Sequence, residues 1–372
     1  MKRAVCALPD LRIVGLDIFP FRNPMTNPFR ISLETMFEYG GVLIRVRLSN
    51  GTAAWGEAAP FPSLTGETWQ TAVAILERLK PHVVGQDLSQ YGFILDEIEG
   101  MIPGNTSAKA ALDIAMHDAL ARYANLPLNA LLGKKADQLE TTQTIGLEGL
   151  EETVKQATAL YEQGVTRIKI KIGGQPEADV KRIGAVREKL GDGFGLTVDA
   201  NQGYTVRQAI QTLRKLERYE IDFCEQPVHY RNLEGLTQVR KNSGIPIMAD
   251  ESVHSPQDAL EVVRRNAADM INIKLMKSGG IRGASRIAAI AEAAGLPCMV
   301  GCMIETKVAT AAGCHFATSH GIVKYADLDG FTSLKVDPVK GGVELKGSVE
   351  KLVDGPGLAL TVDEALLRTI RA

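Results

Sequence analysis

The segments Arg167-Ile-Lys-Ile-Lys171, Leu196-Thr-Val-Asp199, Asp222-Phe-Cys-Glu225, Ile247-Met-Ala-Asp250 and Met270-Ile-Asn-Ile-Lys274 decide the fold. Each is a short apolar run ending in a charged residue. The steps from Asp199 to Glu225, Asp250 and Lys274 are 26, 25 and 24 residues. That is room for a strand, a loop, a helix and a return loop, repeated. No repeated signature accompanies the period, so it reads as a parallel barrel rather than a solenoid. In a parallel barrel the carboxyl ends of the strands meet at one mouth. Three carboxylates and at least two lysines would then face one another there.

Working outward, residues 11 to 60 read as strands. Val42–Leu48 and Thr52–Glu57 flank Asn50-Gly51, a strong hairpin signal. A first strand near Leu11 to Phe19 runs into a Pro/Asn-rich segment, Pro20 to Pro28, expected to be a mobile surface loop. Residues 67 to 124 read as helices, and the Ala-rich run Thr106–Tyr123 suits tight helix packing. Strands followed by helices indicate an α+β unit. A boundary falls near residues 131–137, before a strand expected over Leu139–Ile145. The domains expected are 1–133, 134–330, and a tail, 331–372, packed back on the first. Within the barrel, Thr205–Arg218 reads as an amphipathic helix. Ser255-Pro256 reads as a cap followed by proline at the first helical position.

The chain has 372 residues, 45% hydrophobic and 23% charged, with a formal net charge of −2. It is long enough for two domains and not basic enough to track nucleic acid. The N-terminus has a basic start, but Pro9, Asp10 and Arg12 interrupt any apolar core, so a signal peptide is not expected. No run approaches a membrane span. Five cysteines, odd in number and without metal-ligand spacing, suit a reducing cytoplasm.

The strand ends carry the chemistry. Asp199, Glu225 and Asp250 together suit a hard divalent ion, Mg²⁺ or Mn²⁺; each singly reads equally as a helix cap or a surface acid. Lys169 and Lys171 share one strand face, either the barrel interior or a solvated edge. Lys274 would arrive from the far side of a closed barrel, or reach solvent from a strand end. Two lysines flanking a metal suggest two bases facing one carbon. Neighbouring cations would lower their pKa values from about 10.4 toward a useful range. Asp327 and Asp329 would bind a substrate ammonium, or form an Asp-Gly turn.

The motifs Lys169-Ile-Lys171, Asp199-Ala-Asn-Gln-Gly203, Glu225-Gln-Pro227, Ala249-Asp-Glu-Ser252 and Asn272-Ile-Lys-Leu-Met-Lys277 resemble those of the enolase superfamily, muconate-lactonizing-enzyme subgroup. Gly301-Cys-Met-Ile-Glu-Thr306 and Asp327-Leu-Asp329 resemble the dipeptide epimerases, including the L-Ala-D/L-Glu epimerases. The resemblance implies a modified (β/α)7β TIM-like barrel with an N-terminal α+β capping domain. It implies Lys171 and Lys274 as the two bases and Mg²⁺ on Asp199, Glu225 and Asp250. Asp327 and Asp329 would hold the dipeptide's α-ammonium. Thr144, Lys169, Cys302, Met303 and Ile304 would lie against the substrate, and Asn201 and Glu251 would orient ligands and lysines. Family members assemble as dimers or octamers, so a homo-oligomer is expected.

One position departs from the pattern. The Ala-Glu epimerases carry an arginine a few residues beyond a Pro-Phe-Lys/Arg triplet. Here Pro28-Phe-Arg30 is followed at the matching position by Glu34, which would repel a glutamate side chain and attract a cationic one, or point to solvent. The expected activity is a Mg²⁺-dependent dipeptide epimerase that inverts the Cα next to the carboxylate by two-base proton transfer through an enolate. The alternatives are o-succinylbenzoate synthase or N-succinylamino acid racemase, a muconate-type cycloisomerase, and a non-catalytic barrel.

Overall fold

The computed structural model describes residues 11–372; Cys6 and most of the stretch weighed as a signal peptide lie outside them. Strands β1 (Ile13–Arg30), β2 (Thr35–Leu48) and β3 (Ala53–Ala58) form an antiparallel meander. The expected Asn50-Gly51 turn joins the last two: Gly51 has φ +88° and Asn50 Oδ1 accepts the Thr52 N–H at 2.9 Å. The expected loop at Pro20–Pro28 is instead strand. β1 pairs with β2 as far as Pro24 opposite Glu38, shifts register, and resumes at Phe29 opposite Met36. It lies at the sheet edge, where proline's missing N–H need not break a ladder.

Helices Trp69–Val83, Tyr91–Met101 and Thr106–Tyr123 accompany this sheet. The third is buried on nearly every side, so it shows no single apolar stripe. Its small residues allow close approach to β3: a Cβ at Gly56 would stand 2.0 Å from the Ala111 carbonyl oxygen.

The stretch Leu139–Ile145, expected as one strand, is two. β4 (Gln138–Glu140) joins the C-terminal tail, and β5 (Gln143–Ile145) starts the barrel. The barrel continues through β6 (Arg167–Lys171), β7 (Gly195–Asp199), β8 (Cys224–Glu225) and β9 (Ile247–Ala249). It ends with β10 (Met270–Lys274), β11 (Cys298–Gly301) and β12 (Val323–Asp327). All eight strands are parallel and lie in sequence order. Thr142 joins the seam between β12 and β5: its N–H and Oγ1 both bond to Ala326 O, at 2.9 and 3.0 Å. The capped helices form as expected, Val206–Leu216 with Thr205 and Gln208 as a capping box, Pro256–Arg265 with Ser255 and Asp258.

Side-chain alternation sorts the interior by height. Phe223, Met248, Met270, Met299 and Tyr325 pack into an apolar plug inside the barrel. Two residues further along the same strands stand Glu225, Asp250, Asn272, Gly301 and Asp327. The plug closes the lower barrel, so the polar groups above it sit in a cup with one opening.

In the tail, β13 (Val339–Gly341) pairs with β16 (Leu360–Val362). β14 (Val343–Lys346) and β15 (Val349–Leu352) build a sheet with β4. The tail therefore touches the barrel as well as the first domain. It meets β1 through Arg22 N–H to Ile370 O at 2.8 Å, and through Asn23 with Val336. Among the described residues no helix is long and apolar enough to cross a membrane.

Buried carboxylates stitch these parts together. Glu57 on β3 accepts the Thr306 N–H at 2.8 Å, the Ala309 N–H at 3.0 Å and the Thr306 hydroxyl at 2.7 Å, capping helix Lys307–Ala317 from another domain. Asp118 accepts the Trp55 N–H at 3.0 Å and the Leu358 N–H at 2.8 Å while pairing with Arg122 at 2.9 Å. Asp118→Ala would strand both N–H groups and an ion-pair partner. A loss of about 3–5 kcal/mol is expected, read from the urea midpoint; an unshifted midpoint would show that water replaces the carboxylate at no cost.

Candidate active site

Strand β6 places both of its lysines inside the cup, because it lies between β5 and β7 and is not an edge. Lys169 Nζ donates to Asp327 Oδ2 at 2.6 Å and lies 2.7 Å from Glu225 Oε2 and 3.3 Å from Asp199 Oδ2. One ammonium thus spans acids from three strands. Lys171 Nζ donates to Asp199 Oδ2 at 2.6 Å. Across the barrel, Lys274 Nζ donates to Asp250 Oδ2 at 2.8 Å. β6 and β10 are four strands apart in a ring of eight, so Lys171 and Lys274 rise from opposite walls.

Local structure holds these groups. Arg182 Nη2 donates to the Lys171 carbonyl at 3.0 Å and to Asp179 Oδ1 at 2.5 Å. Asn201 N–H donates to Asp199 Oδ1 at 2.8 Å, and its Nδ2 to Glu251 Oε1 at 3.2 Å. Thr144 Oγ1 donates to Asp327 Oδ1 at 3.1 Å and its N–H to Asp329 Oδ2 at 2.7 Å. Thr144, Lys169, Lys171, Asn201, Lys274, Cys302, Met303, Ile304, Asp327 and Asp329 all line one cleft, roofed by Phe29, Ile31, Phe61 and Leu64.

Glu34 is not among the lining residues. It sits half-buried in the turn between β1 and β2, with Oε1 shielded and without a hydrogen-bond partner.

Several groups escaped the sequence reading. Lys277 Nζ reaches Asp250 Oδ1 at 2.5 Å and Asn272 O at 3.1 Å, fully buried. Asn272 Nδ2 donates to Glu225 Oε1 at 2.6 Å. Gln226, with φ +34°, accepts the Asp250 and Ser252 N–H groups at 3.0 and 3.1 Å. Gln226, Asn272 and Lys277 lay inside quoted motifs, but nothing in residue type showed which way each would turn.

The electrostatics follow from burial and crowding. Burial disfavours the charged form of Lys169, but Asp327, Glu225 and Asp199 outweigh it and hold the ammonium well above its usual range. Lys274 is raised in the same way, burial being overcome by Asp250 and Glu225. Around Lys169 and Lys274 the acids, rather than the neighbouring cations, set the direction. For Asp199, burial is overcome by Lys171 and Lys169; for Asp250, by Lys274 and Lys277. Both carboxyls are held low. Burial, then Asp199, pushes Glu225 up to about 8. Burial, then the neighbouring acids, pushes Glu251 and Asp329 up to about 7.

Among the described residues no three His, Cys, Asp or Glu converge as one coordination shell. Asp199, Glu225 and Asp250 are turned onto lysines and amides instead. Their chemistry nevertheless fits a hard divalent cation. Six carboxyls (Asp199, Glu225, Asp250, Glu251, Asp327, Asp329) meet four ammoniums (Lys169, Lys171, Lys274, Lys277), an excess of two acids. Shielded, unpartnered acceptors remain at Asn201 Oδ1 and Glu251 Oε2.

A barrel with lysines on facing walls and acids between them defines a class. Residues 14–133 match the mandelate racemase/muconate lactonizing enzyme N-terminal domain, and residues 152–366 match the enolase C-terminal domain-like family. The chain belongs to the mandelate racemase/muconate lactonizing enzyme family. It is 39% identical over 362 residues to the L-Ala-D/L-Glu epimerase of Bacillus subtilis, covering 96% of this chain and 99% of that one. The substrate-liganded structure of that enzyme superposes with a TM-score of 0.93 at 39% identity, over 94% of this chain and 99% of that one. The Enterococcus faecalis dipeptide epimerase, complexed with Mg and L-Leu-L-Tyr, gives 0.92 at 35% identity, and the Methylococcus capsulatus enzyme, with Mg and L-Arg-D-Lys, gives 0.89 at 33%. Each covers 94% of this chain and 99% of its own.

A buried acid behind the site offers a test. Glu350 on β15 accepts the Cys314 sulfhydryl at 2.9 Å. Burial is the main cause that pushes its carboxyl up to about 8, with Asp329 and Asp327 adding. An ordinary glutamate titrates near about 4.3. Between those values the folded protein keeps a proton that the unfolded chain has lost, so stability falls as pH rises through the window and levels off above it. Glu350→Gln removes that fall. Its Tm relative to wild type is expected to rise steadily from about pH 5 to about pH 8.5; a constant difference would show that Glu350 is ionised throughout.

Proposed function

We propose that the chain is a Mg²⁺-dependent dipeptide epimerase, inverting the Cα next to the dipeptide's carboxylate. The observation that carries this is the pairing of Lys171 and Lys274 on opposite walls, with Asp199, Glu225 and Asp250 between them. Bound Mg²⁺, held by those three acids, supplies a Lewis acid for the carboxylate beside the inverted carbon; Mn²⁺ shares the same preference for oxygen ligands.

The residues divide the remaining work. Lys171 takes the α-proton from one face, and Lys274, held protonated, delivers one to the other; in the reverse direction the roles exchange. Arg182 fixes the backbone from which Lys171 projects. Asp329, with Asp327 beside it, receives the dipeptide's ammonium. That pair supports a free amino group over an N-succinylated or muconate substrate, neither of which offers an ammonium to buried acids. So many buried charges would be costly in an idle binding module. A cytoplasmic homo-oligomer is part of this reading; the described cysteines are all free, which suits a reducing compartment.

Mg²⁺-dependent deuterium uptake from D₂O into the α-position of a dipeptide, followed by mass spectrometry, tests the activity. Lys171→Ala and Lys274→Ala are each expected to lower epimerisation by roughly 10²–10⁴ while still binding Mg²⁺ by calorimetry. Full-rate inversion by either variant would rule out the two-base scheme.

A further inference from the structure

The cleft has two chemically different walls. Its floor carries all of its charged groups: Lys169, Lys171, Lys274, Asp327 and Asp329. These are already engaged with one another, with Asp199, Glu225 and Asp250, or with Thr144. The roof is formed by Phe29, Ile31, Phe61 and Leu64 from the capping domain, continued by Met303 and Ile304 from the loop after β11. None of these six side chains bears a charge or a hydrogen-bonding group of ordinary strength.

The roof is also fixed in place. Ser32 Oγ bonds to Ala200 O at 3.0 Å and to Asn201 O at 2.8 Å, pinning the β1–β2 turn onto the barrel mouth. Leu147 N–H donates to Arg30 O at 2.8 Å, and Leu64 N–H to Phe61 O at 2.9 Å. Ile31, Phe61, Met303 and Ile304 are buried.

Inversion dictates where a substrate side chain must go. The lysines occupy the two faces of the reacting carbon. Its other three substituents lie between them, near one plane. On the epimerase reading the carboxylate would face the acids of β7, β8 and β9, and the amide would lead toward Asp327 and Asp329. The third direction leaves the floor and meets the roof.

We propose that the epimerised residue carries an apolar side chain, of the Leu, Met or Phe class, packed against Phe29, Ile31, Phe61, Leu64, Met303 and Ile304. This rests on the dipeptide-epimerase reading. A carboxylate or ammonium packed against those six side chains would lose water and find no hydrogen-bonding group among them. An apolar side chain gains burial in proportion to its area.

The test uses the Mg²⁺-loaded full chain in D₂O with L-Ala-L-Leu, L-Ala-L-Phe, L-Ala-L-Glu and L-Ala-L-Lys, comparing kcat/KM for α-deuterium uptake. The Leu and Phe dipeptides are expected to exceed the Glu and Lys dipeptides by at least about tenfold. Leu64→Arg should narrow the gap to the Glu dipeptide by weakening Leu turnover and raising Glu turnover. Faster or equal turnover of the Glu or Lys dipeptide overturns the apolar assignment while leaving the epimerase reading intact. No uptake into any of the four overturns both.

Discussion

The arrangement at the barrel mouth depends on an excess of buried carboxyls over ammoniums. Lys169 alone neutralises parts of Asp199, Glu225 and Asp327. Lys171 is added from the same strand, and Lys274 and Lys277 from the opposite wall. Isolated, any of these ions would be expensive in so dry a place. Together the four ammoniums number two fewer than the six carboxyls they meet, and burial keeps protons on some of those carboxyls. Such a cluster is a poor device for stability alone and a good one for handling protons and an added cation. The apolar plug beneath it keeps the charges at one height and in one dielectric environment.

The same logic recurs at the seams between parts. Glu57, Asp113 and Asp118 each spend a buried carboxylate on backbone N–H groups from a distant segment. Asp113, on helix Thr106–Tyr123, takes the Ile281 N–H at 2.6 Å, at the start of helix Ile281–Ala294. Charge-assisted bonds of this kind are directional as well as strong. They fix how the first domain sits on the barrel, and therefore which of its side chains reach the cleft.

Much of this was legible in the sequence because period and register are properties of local order. The 24–26-residue spacing gave parallel strands in sequence order, and the Ile/Lys alternation of β6 put its two lysines on one face. Thr205 and Ser255 announced helices through capping chemistry that needs no distant partner. What failed depended on neighbours far away in the chain. Pro20–Pro28 carries loop residues, yet forms an edge strand because β2 offers it a ladder. Leu139–Ile145 looks continuous, but its two halves pair with different sheets. The lysine pKa directions could not be read without knowing how many acids surround each ammonium. Glu34 was placed by its distance from a motif, which does not show that the turn shields its Oε1. Lys277 and Arg182 gave no signal, since a lysine or arginine on a helix is ordinarily a solvated one.

The pairing of β4 with β15 has a consequence for the order in which this molecule can be made. β5 opens the barrel, and its neighbour β4 is aligned by Val349, Glu350 and Lys351, close to the end of the chain. Thr141, between the two strands, bonds to Ser348 O at 2.7 Å, while Thr142 holds the seam. The strand that precedes the barrel therefore finds its partner only about 210 residues further along the sequence, whereas β5 pairs with β6 close by. Contacts of such sequence separation are slow to form, so the β4–β15 pairing is expected to follow the local β5–β6 pairing in folding.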